Sequence, residues 1–249
     1  MSFASKLALA ALISTAGAAH ALPVLVSSDT SGWTLSSSAS ATTATAGDGA
    51  ISGEALRFTG NNDNAATRQL GQVVSASRVI VQFDLRFDAG TVDTNDFLGL
   101  WLGSSTGPNI GLKGNCDGAA ACNGNGADLF VRTTGTGGSF STAIAVGQTY
   151  HLFGLLEKVN GSVNYNRYSL WVNPTGAEMA GLTGADAVFS ENSGISSFST
   201  IGFRSVNLDA GDAVLVDNLS ISTVPEPATA ALAGLALLGV ALTSRRRPR

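Results

Sequence analysis

Acid–base chemistry in this sequence would have to be built from five glutamates, thirteen aspartates and two histidines, and their spacing does not favour it. Glu54, Glu157, Glu178 and Glu191 each lack an acidic neighbour within four positions. A retaining glycosidase needs two carboxyl groups about 5 Å apart, most simply from one strand, and no such closely spaced pair involving a glutamate is present. His151 is the one histidine beyond the leader, and no Gly-x-Ser-x-Gly elbow or Gly-rich phosphate loop with lysine is read beside it. Two carboxylates from separate strands remain the only route to hydrolysis, so the chain is expected not to be an enzyme. His151 is expected on a sheet, facing solvent or at an edge.

Binding is easier to build. Sugars rest on flat aromatic rings with amides and carboxylates around them, and Trp33, Trp101, Trp171, Tyr165 and Tyr168 are the available rings. In Phe97 to Leu102, Leu98, Leu100 and Leu102 share one face while Phe97 and Trp101 share the other. In Arg167 to Val172, Tyr168, Leu170 and Val172 read as inward, which turns Arg167, Ser169 and Trp171 outward. Trp171 and Trp101 are therefore the candidate glycan platforms; ordinary core packing is the competing assignment. Calcium is the ion that Asp, Asn and carbonyl oxygens would hold, with Asp93, Asn95 and Asp96 in one loop and Asp209, Asp212 and Asp217 near the last strand as candidates. The same residues also make plain turns. Cys116 and Cys122, in GNCDGAAACNGNG, are expected to close a small disulfide ring in an oxidising compartment, worth about 2 kcal/mol at most.

These groups must be carried by strands. Val79, Val81, Phe83, Leu85 and Phe87 alternate with Ile80, Gln82, Asp84 and Arg86, a period of two with one apolar face. Further strands are expected at 23–26, 32–35, 55–59, 97–102, 109–113, 128–133, 149–159, 162–172, 200–206 and 213–222. Asn160-Gly161 is the turn of a hairpin, since both residues tolerate positive φ. Residues 176–188 offer a short turn of helix at most. Ten or more strands in about 200 residues, with glycine at the bends, predict an all-β, two-sheet antiparallel sandwich.

The two ends differ from this middle. Lys6, the apolar stretch from Leu7 to Ala19 and the triplet Ala19-His20-Ala21 form a secretory signal over residues 1–21, read by a Sec translocon and a signal peptidase. At the other end, residues 224–249 run from Val224-Pro225-Glu226-Pro227 through an uncharged apolar stretch to Arg245, Arg246, Arg247 and Arg249. Seventeen helical residues from Ala228 to Ser244 rise about 25 Å, the short end of what crosses a hydrocarbon core of roughly 30 Å. Arginines there stay cytoplasmic, which puts residues 22–223 outside the inner membrane. Two prolines keep the quartet extended and accessible. Without Lys6, Glu226 and the four terminal arginines, 9 basic and 17 acidic residues remain of 14 and 18, a net charge near −8. That surface argues against nucleic acid as a partner.

The quartet, apolar stretch and arginine end, in that order, resemble the PEP-CTERM sorting signal of Gram-negative bacteria that make extracellular polysaccharide. The resemblance implies recognition of Val224 to Pro227 by a membrane-embedded exosortase that cuts near the motif and releases or transfers the exported domain. Arg249 after Pro248 departs slightly from a plain arginine cluster. In the middle, RVIVQFDLRF, YHLFGLLEKVNGSVNYNRYSLWVNP and AVLVDNLSIS resemble the concanavalin-like lectin and glucanase jelly roll, with a galactose-binding-like jelly roll as the nearest competitor. That resemblance implies Asp217 of the closing strand as a calcium ligand. The combined expectation is an N-terminal signal helix, a jelly-roll sandwich and a C-terminal transmembrane helix. Such a chain would be a non-catalytic surface or matrix component that touches polysaccharide; a secreted glycan hydrolase or lyase is the rival.

Overall fold

The computed structural model describes residues 21–27, 30–44, 51–114 and 127–225. The signal segment before Ala21, the tail from Glu226 onward and the loop holding Cys116 and Cys122 lie outside the described residues, so the leader, the transmembrane helix and the disulfide do too. Among the described residues no disulfide is present and no helix is long and apolar enough to cross a membrane.

The fold is all-β, with two antiparallel sheets. The strands are β1 (Leu22–Ser27), β2 (Thr34–Leu35), β3 (Ala39–Ala44), β4 (Gly53–Phe58), β5 (Asn62–Val74), β6 (Arg78–Ala89), β7 (Phe97–Leu102) and β8 (Asn109–Lys113). They continue with β9 (Asp128–Arg132), β10 (Ser139–Ala143), β11 (Thr149–Glu157), β12 (Arg167–Val172), β13 (Ala187–Phe189), β14 (Phe198–Val206) and β15 (Ala213–Thr223). One sheet runs β13-β12-β11-β6-β15-β4-β3, with β1 joining β15 beyond β4; the other runs β10-β9-β8-β7-β14-β5-β2. Alternation decides which side chains meet between them. Val79, Val81, Phe83, Leu85 and Phe87 of β6 face Leu98, Leu100, Leu102, Ile201 and Phe203 across the main core. Phe203 is its aromatic centre, with Phe58, Phe83 and Trp33 at 5.0, 5.9 and 5.6 Å.

Two sequence expectations change in detail. Val159 to Ser162 does form a tight turn: Asn160 and Gly161 have φ of 55° and 73°, and the Ser162 amide donates to Val159 O at 3.1 Å. The strands that it serves end earlier, because pairing stops at Glu157 and Arg167, and Asn166 fills the space by accepting from the Val159 amide. Residues 176–188 contain the helix α1 (Gly176–Gly181), started by a capping box between Thr175 and Glu178. α1 carries no buried residue itself, but Met179 and the following Leu182 lie on the outer face of the larger sheet.

Candidate functional site

Strand alternation leaves each sheet an outer face, and several of the buried charged side chains lie on these two faces. On the larger sheet, Trp171 projects outward as the alternation requires, but it is only 2% exposed. It packs edge-on against Phe153 at 5.6 Å, donates its indole N–H to Thr183 O at 2.7 Å, and is covered by Met179, Leu182 and Ala185. The expected platform is therefore a satellite core. Beside it a pocket of about 270 Å³ is rimmed by Arg78, Glu157 and Arg167. Glu157 is clamped there, accepting from Arg78 Nε at 3.1 Å and from Arg167 Nε at 2.8 Å.

The centre of the same face brings together residues that lie far apart in sequence. Asp84 and Asp217 are direct register partners on β6 and β15, both buried. Asp84 Oδ1 accepts from His151 Nδ1 at 2.7 Å and its Oδ2 from Asn218 Nδ2 at 2.7 Å. A carboxylate only accepts, so His151 carries its proton on Nδ1. Burial first, and the Asp84 charge second, push the Asp217 carboxyl up from the ordinary carboxylate range, against the pull of the Asn218 and Ser52 amides. His151 thus lies on central strand β11, half-buried against a carboxylate, and not at an edge.

The calcium expectation divides. Asp93 and Asp96 close the β6–β7 loop, the Asp93 amide donating to Asp96 Oδ2 at 2.6 Å. Asp212 does the same in the β14–β15 loop, accepting from the Asp209 and Thr91 amides at 2.7 and 3.1 Å. Burial pushes the Asp96 carboxyl up to about 6, with Asp212, Asp93 and Asp209 adding to the rise. Asp217 stays with Asp84, on the outer face. Among the described residues no three His, Cys, Asp or Glu side chains are grouped to hold a metal ion; Asp96 and Asp212 use oxygens on backbone amides, while Asp96 Oδ1 is buried without a partner.

The outer face of the smaller sheet is arranged differently. Its register sets Trp101 opposite Asn109, and Asn109 opposite Arg132; one step along, Arg204 is opposite Gly99, Gly99 opposite Gly111, and Gly111 opposite Phe130. Glycine at 99 and 111 clears the floor between the flanking strands. Arg132 from β9 and Arg204 from β14 therefore reach across it to one ring, Phe97, at 5.1 and 5.6 Å, and Arg132 also lies 5.6 Å from Phe130. With Asn95, Asp96, Lys113 and Asn207 they line a pocket of about 190 Å³. Arg132 is 4% exposed, and burial, then the charge of Arg204, pulls it down to about 10. Its NH1 donates to Gly135 O at 2.9 Å, but Nε and NH2 have no partner. Two neighbours in the row share that condition: Trp101 Nε1 and Asn109 Oδ1 are buried without partners. Trp101 is 4% exposed, its ring over Gly202, so neither candidate tryptophan presents an open face.

Sequence reasoning paired Phe97 with Trp101 on one face but missed Arg132, Arg204 and Asp84. The signal was available only as cations and a carboxylate at outward positions of alternating strands. It also passed over Gly103-Ser104-Ser105-Thr106-Gly107, which spells Gly-x-Ser-x-Gly. That stretch is the hairpin loop between β7 and β8, with Thr106 N–H donating to Ser104 Oγ at 3.3 Å. Strand follows instead of helix, and His151 belongs to the other sheet, so it is not a nucleophile elbow.

No curated protein sequence matches this chain. Among solved structures, a carbohydrate esterase from the Shiga toxin-encoding bacteriophage phi24B is similar over 83% of this chain and 100% of its own, at 12% identity and a TM-score of 0.51, which shows a shared fold. The alginate lyase Aly36B, as a mutant in complex with alginate trisaccharide, aligns over 69% of this chain and 82% of its own at 11% identity and a TM-score of 0.44. The botulinum neurotoxin type G receptor binding domain aligns over 82% and 46%, at 10% and 0.48. Thr223 ends β15, and the Val224 amide still donates to Arg78 O at 3.0 Å. Residues 223–247 match the PEP-CTERM protein-sorting motif, so the last strand of this all-β sandwich runs directly into an export signal that implies an exosortase as processing partner.

Proposed function

We propose that this chain is an exported, exosortase-processed protein of the cell surface or extracellular matrix, without catalytic activity, whose sandwich binds polysaccharide. The sorting motif at 223–247 carries the reading. Its placement favours a clean release: β15 is paired up to Thr223, and a cut between Val224 and Pro227 leaves even the Val224 amide, which donates to Arg78 O, on the sandwich. In the precursor the apolar tail anchors the chain in the inner membrane, after the Sec translocon and signal peptidase have handled the leader. The absence of catalysis is favoured by the engagement of each glutamate described: Glu157 by two arginines, Glu178 by Thr175, Glu54 by Thr30 and Glu191 by Thr134.

Mass spectrometry of the mature C-terminus tests the address. A product ending within or next to Val224 to Pro227 is expected, and replacing Pro225 and Pro227 with alanine should leave the tail in place. Full-length protein recovered from the cytosol with its arginine end intact would overturn the proposal.

One observation favours the rival, a glycan-active enzyme. Asp84, Asp217 and His151 bring two carboxyl groups, one with a raised pKa, beside an imidazole. Turnover of an acidic or neutral polysaccharide that disappears in Asp217→Asn would favour the enzyme. An inactive wild type across the same substrates favours the binding protein.

A further inference from the structure

We infer that the Phe97 pocket on the smaller sheet recognises a carboxylated sugar, with Arg132 and Arg204 gripping the carboxylate of a uronic acid unit in an acidic polysaccharide. This deepens the polysaccharide reading above and rests on it.

The chain outside its two ends is strongly acidic, yet at this place two guanidinium groups share one aromatic ring. Their mutual repulsion costs stability unless an anion lies between them. The nearest pocket carboxylate does not serve. Asp96 is acted on by Asp93, Asp209 and Asp212, and is itself pushed towards its neutral form, so its field is that of the neighbouring loop. Arg204 is tied to Asp63 at 2.6 Å, but Asp63 is an exposed residue and leaves Arg132 uncompensated.

The open atoms of Arg132 specify the shape of the missing partner. NH1 is taken by Gly135 O, which leaves the Nε and NH2 edge, two parallel donors, the fork that matches the two oxygens of a planar carboxylate. In the neighbouring row Trp101 Nε1 and Asn109 Oδ1 are also unmatched, but they lie buried behind the pocket lining, with Asn109 Nδ2 donating to Gly107 O at 2.5 Å. The shape of the Arg132 fork, not these two atoms, is what specifies a carboxylate. The fork lies just beneath the pocket surface. Arg204, 28% exposed and paired with the exposed Asp63, lines the same pocket and reaches the same ring.

The test uses the processed protein, exported from a cell that expresses the full chain, and calorimetry with three probes: a hexuronate oligosaccharide, the same oligosaccharide with its carboxyls reduced to alcohols, and inorganic sulfate. The uronate should bind, and binding should weaken at least tenfold on carboxyl reduction. Arg132→Lys, which keeps the charge and loses the fork, should weaken it at least tenfold too. Arg204→Met, at a half-exposed position, supports the same result should Arg132→Lys lower the melting temperature. Equal binding of the reduced oligosaccharide would overturn carboxylate recognition and leave polysaccharide binding standing. Sulfate binding as tightly as uronate would reduce the pocket to a general anion site and overturn the sugar assignment. Failure of both oligosaccharides to bind would remove the polysaccharide reading together with this one.

Discussion

On the outer face of the larger sheet Glu157 lies between Arg78 and Arg167, and Asp84 between His151 and Asn218. On the outer face of the smaller sheet Arg132 and Arg204 meet over Phe97 with no carboxylate between them, and Trp101 and Asn109 each leave a polar atom unmatched. Both faces are built by the same alternation from the same kinds of residue. The difference lies in whether burial has been compensated. A buried group with its partners in place holds the fold, whereas a buried group without them costs free energy in the unliganded protein and returns it on binding. At these residues partner satisfaction separates the two faces, while aromatic content does not: Trp171 and Trp101 are equally covered.

The largest expected effect tests that contrast directly. Glu157→Gln leaves Arg78 and Arg167 facing a neutral amide in a half-buried pocket, and should cost about 3 kcal/mol of unfolding free energy in a denaturant titration. Arg132→Met, of similar burial and length, should lie within about 1 kcal/mol of wild type or above it, because it removes an uncompensated charge while keeping the contacts with Phe97 and Phe130. Equal losses in the two variants would break the comparison.

A smaller loss is expected at the floor of the recognition face. A Cβ at Gly202 would come within 2.4 Å of Trp101 Cζ2 and 2.6 Å of Ala66 O, so Gly202→Ala must shift the indole or the β5 backbone. It should cost about 2 kcal/mol, read from the same titration, and disturb the Trp101–Asn109–Arg132 row. A variant that loses stability and still binds a hexuronate oligosaccharide as wild type does would separate Trp101 from the pocket.

How much of this was visible in the residues follows from where the apolar signal is strong. Phe97 to Leu102 and Asn109 to Lys113 were legible to the residue as short apolar runs between turns, and β6 by its alternation, because its inward positions are large and its outward ones contrast. β5 is the longest strand, yet it was missed: NDNAATRQLGQVV places only Ala65, Ala66 and Val74 in the core, too little side chain to declare a period. β3, in ASATTA, failed for the same reason, and β10 and β13 are short strands at the sheet ends. The outward direction of Trp171 was legible; its cover was not, since it comes from Met179 and Leu182 after an intervening turn. The sites depended on register between distant strands. Asp84 meets Asp217, and Arg132 meets Arg204, through pairings of β6 with β15 and of β7 with β14 that local sequence does not encode.

The smallest effect concerns Asp96, on the rim shared by the recognition pocket and the acidic loops. Its carboxyl has an ordinary value of 3.8 unfolded and is raised to about 6 in the fold, chiefly by burial. Between those values the folded chain binds more protons than the unfolded one, so this group's contribution to stability falls as pH climbs from about 4 to about 6 and stays low above that. Asp96→Asn keeps an acceptor for the Asp93 amide and removes the charge that Asp212 and Asp209 repel. At pH 7 the variant should be more stable by about 1 kcal/mol once screening by water is allowed for, and near pH 4 the advantage should vanish. Glu178, whose carboxyl is held below its usual range by the Thr175 amide and hydroxyl, acts in the opposite direction as pH falls below about 4.5, but it is common to wild type and variant and cancels in their difference. Thermal melts of wild type and variant at pH 4, 5, 6 and 7 in the presence of chelator measure the difference. A gap between them that is flat in pH would mean that Asp96 is ionised throughout and that the acidic loops carry their charge without strain.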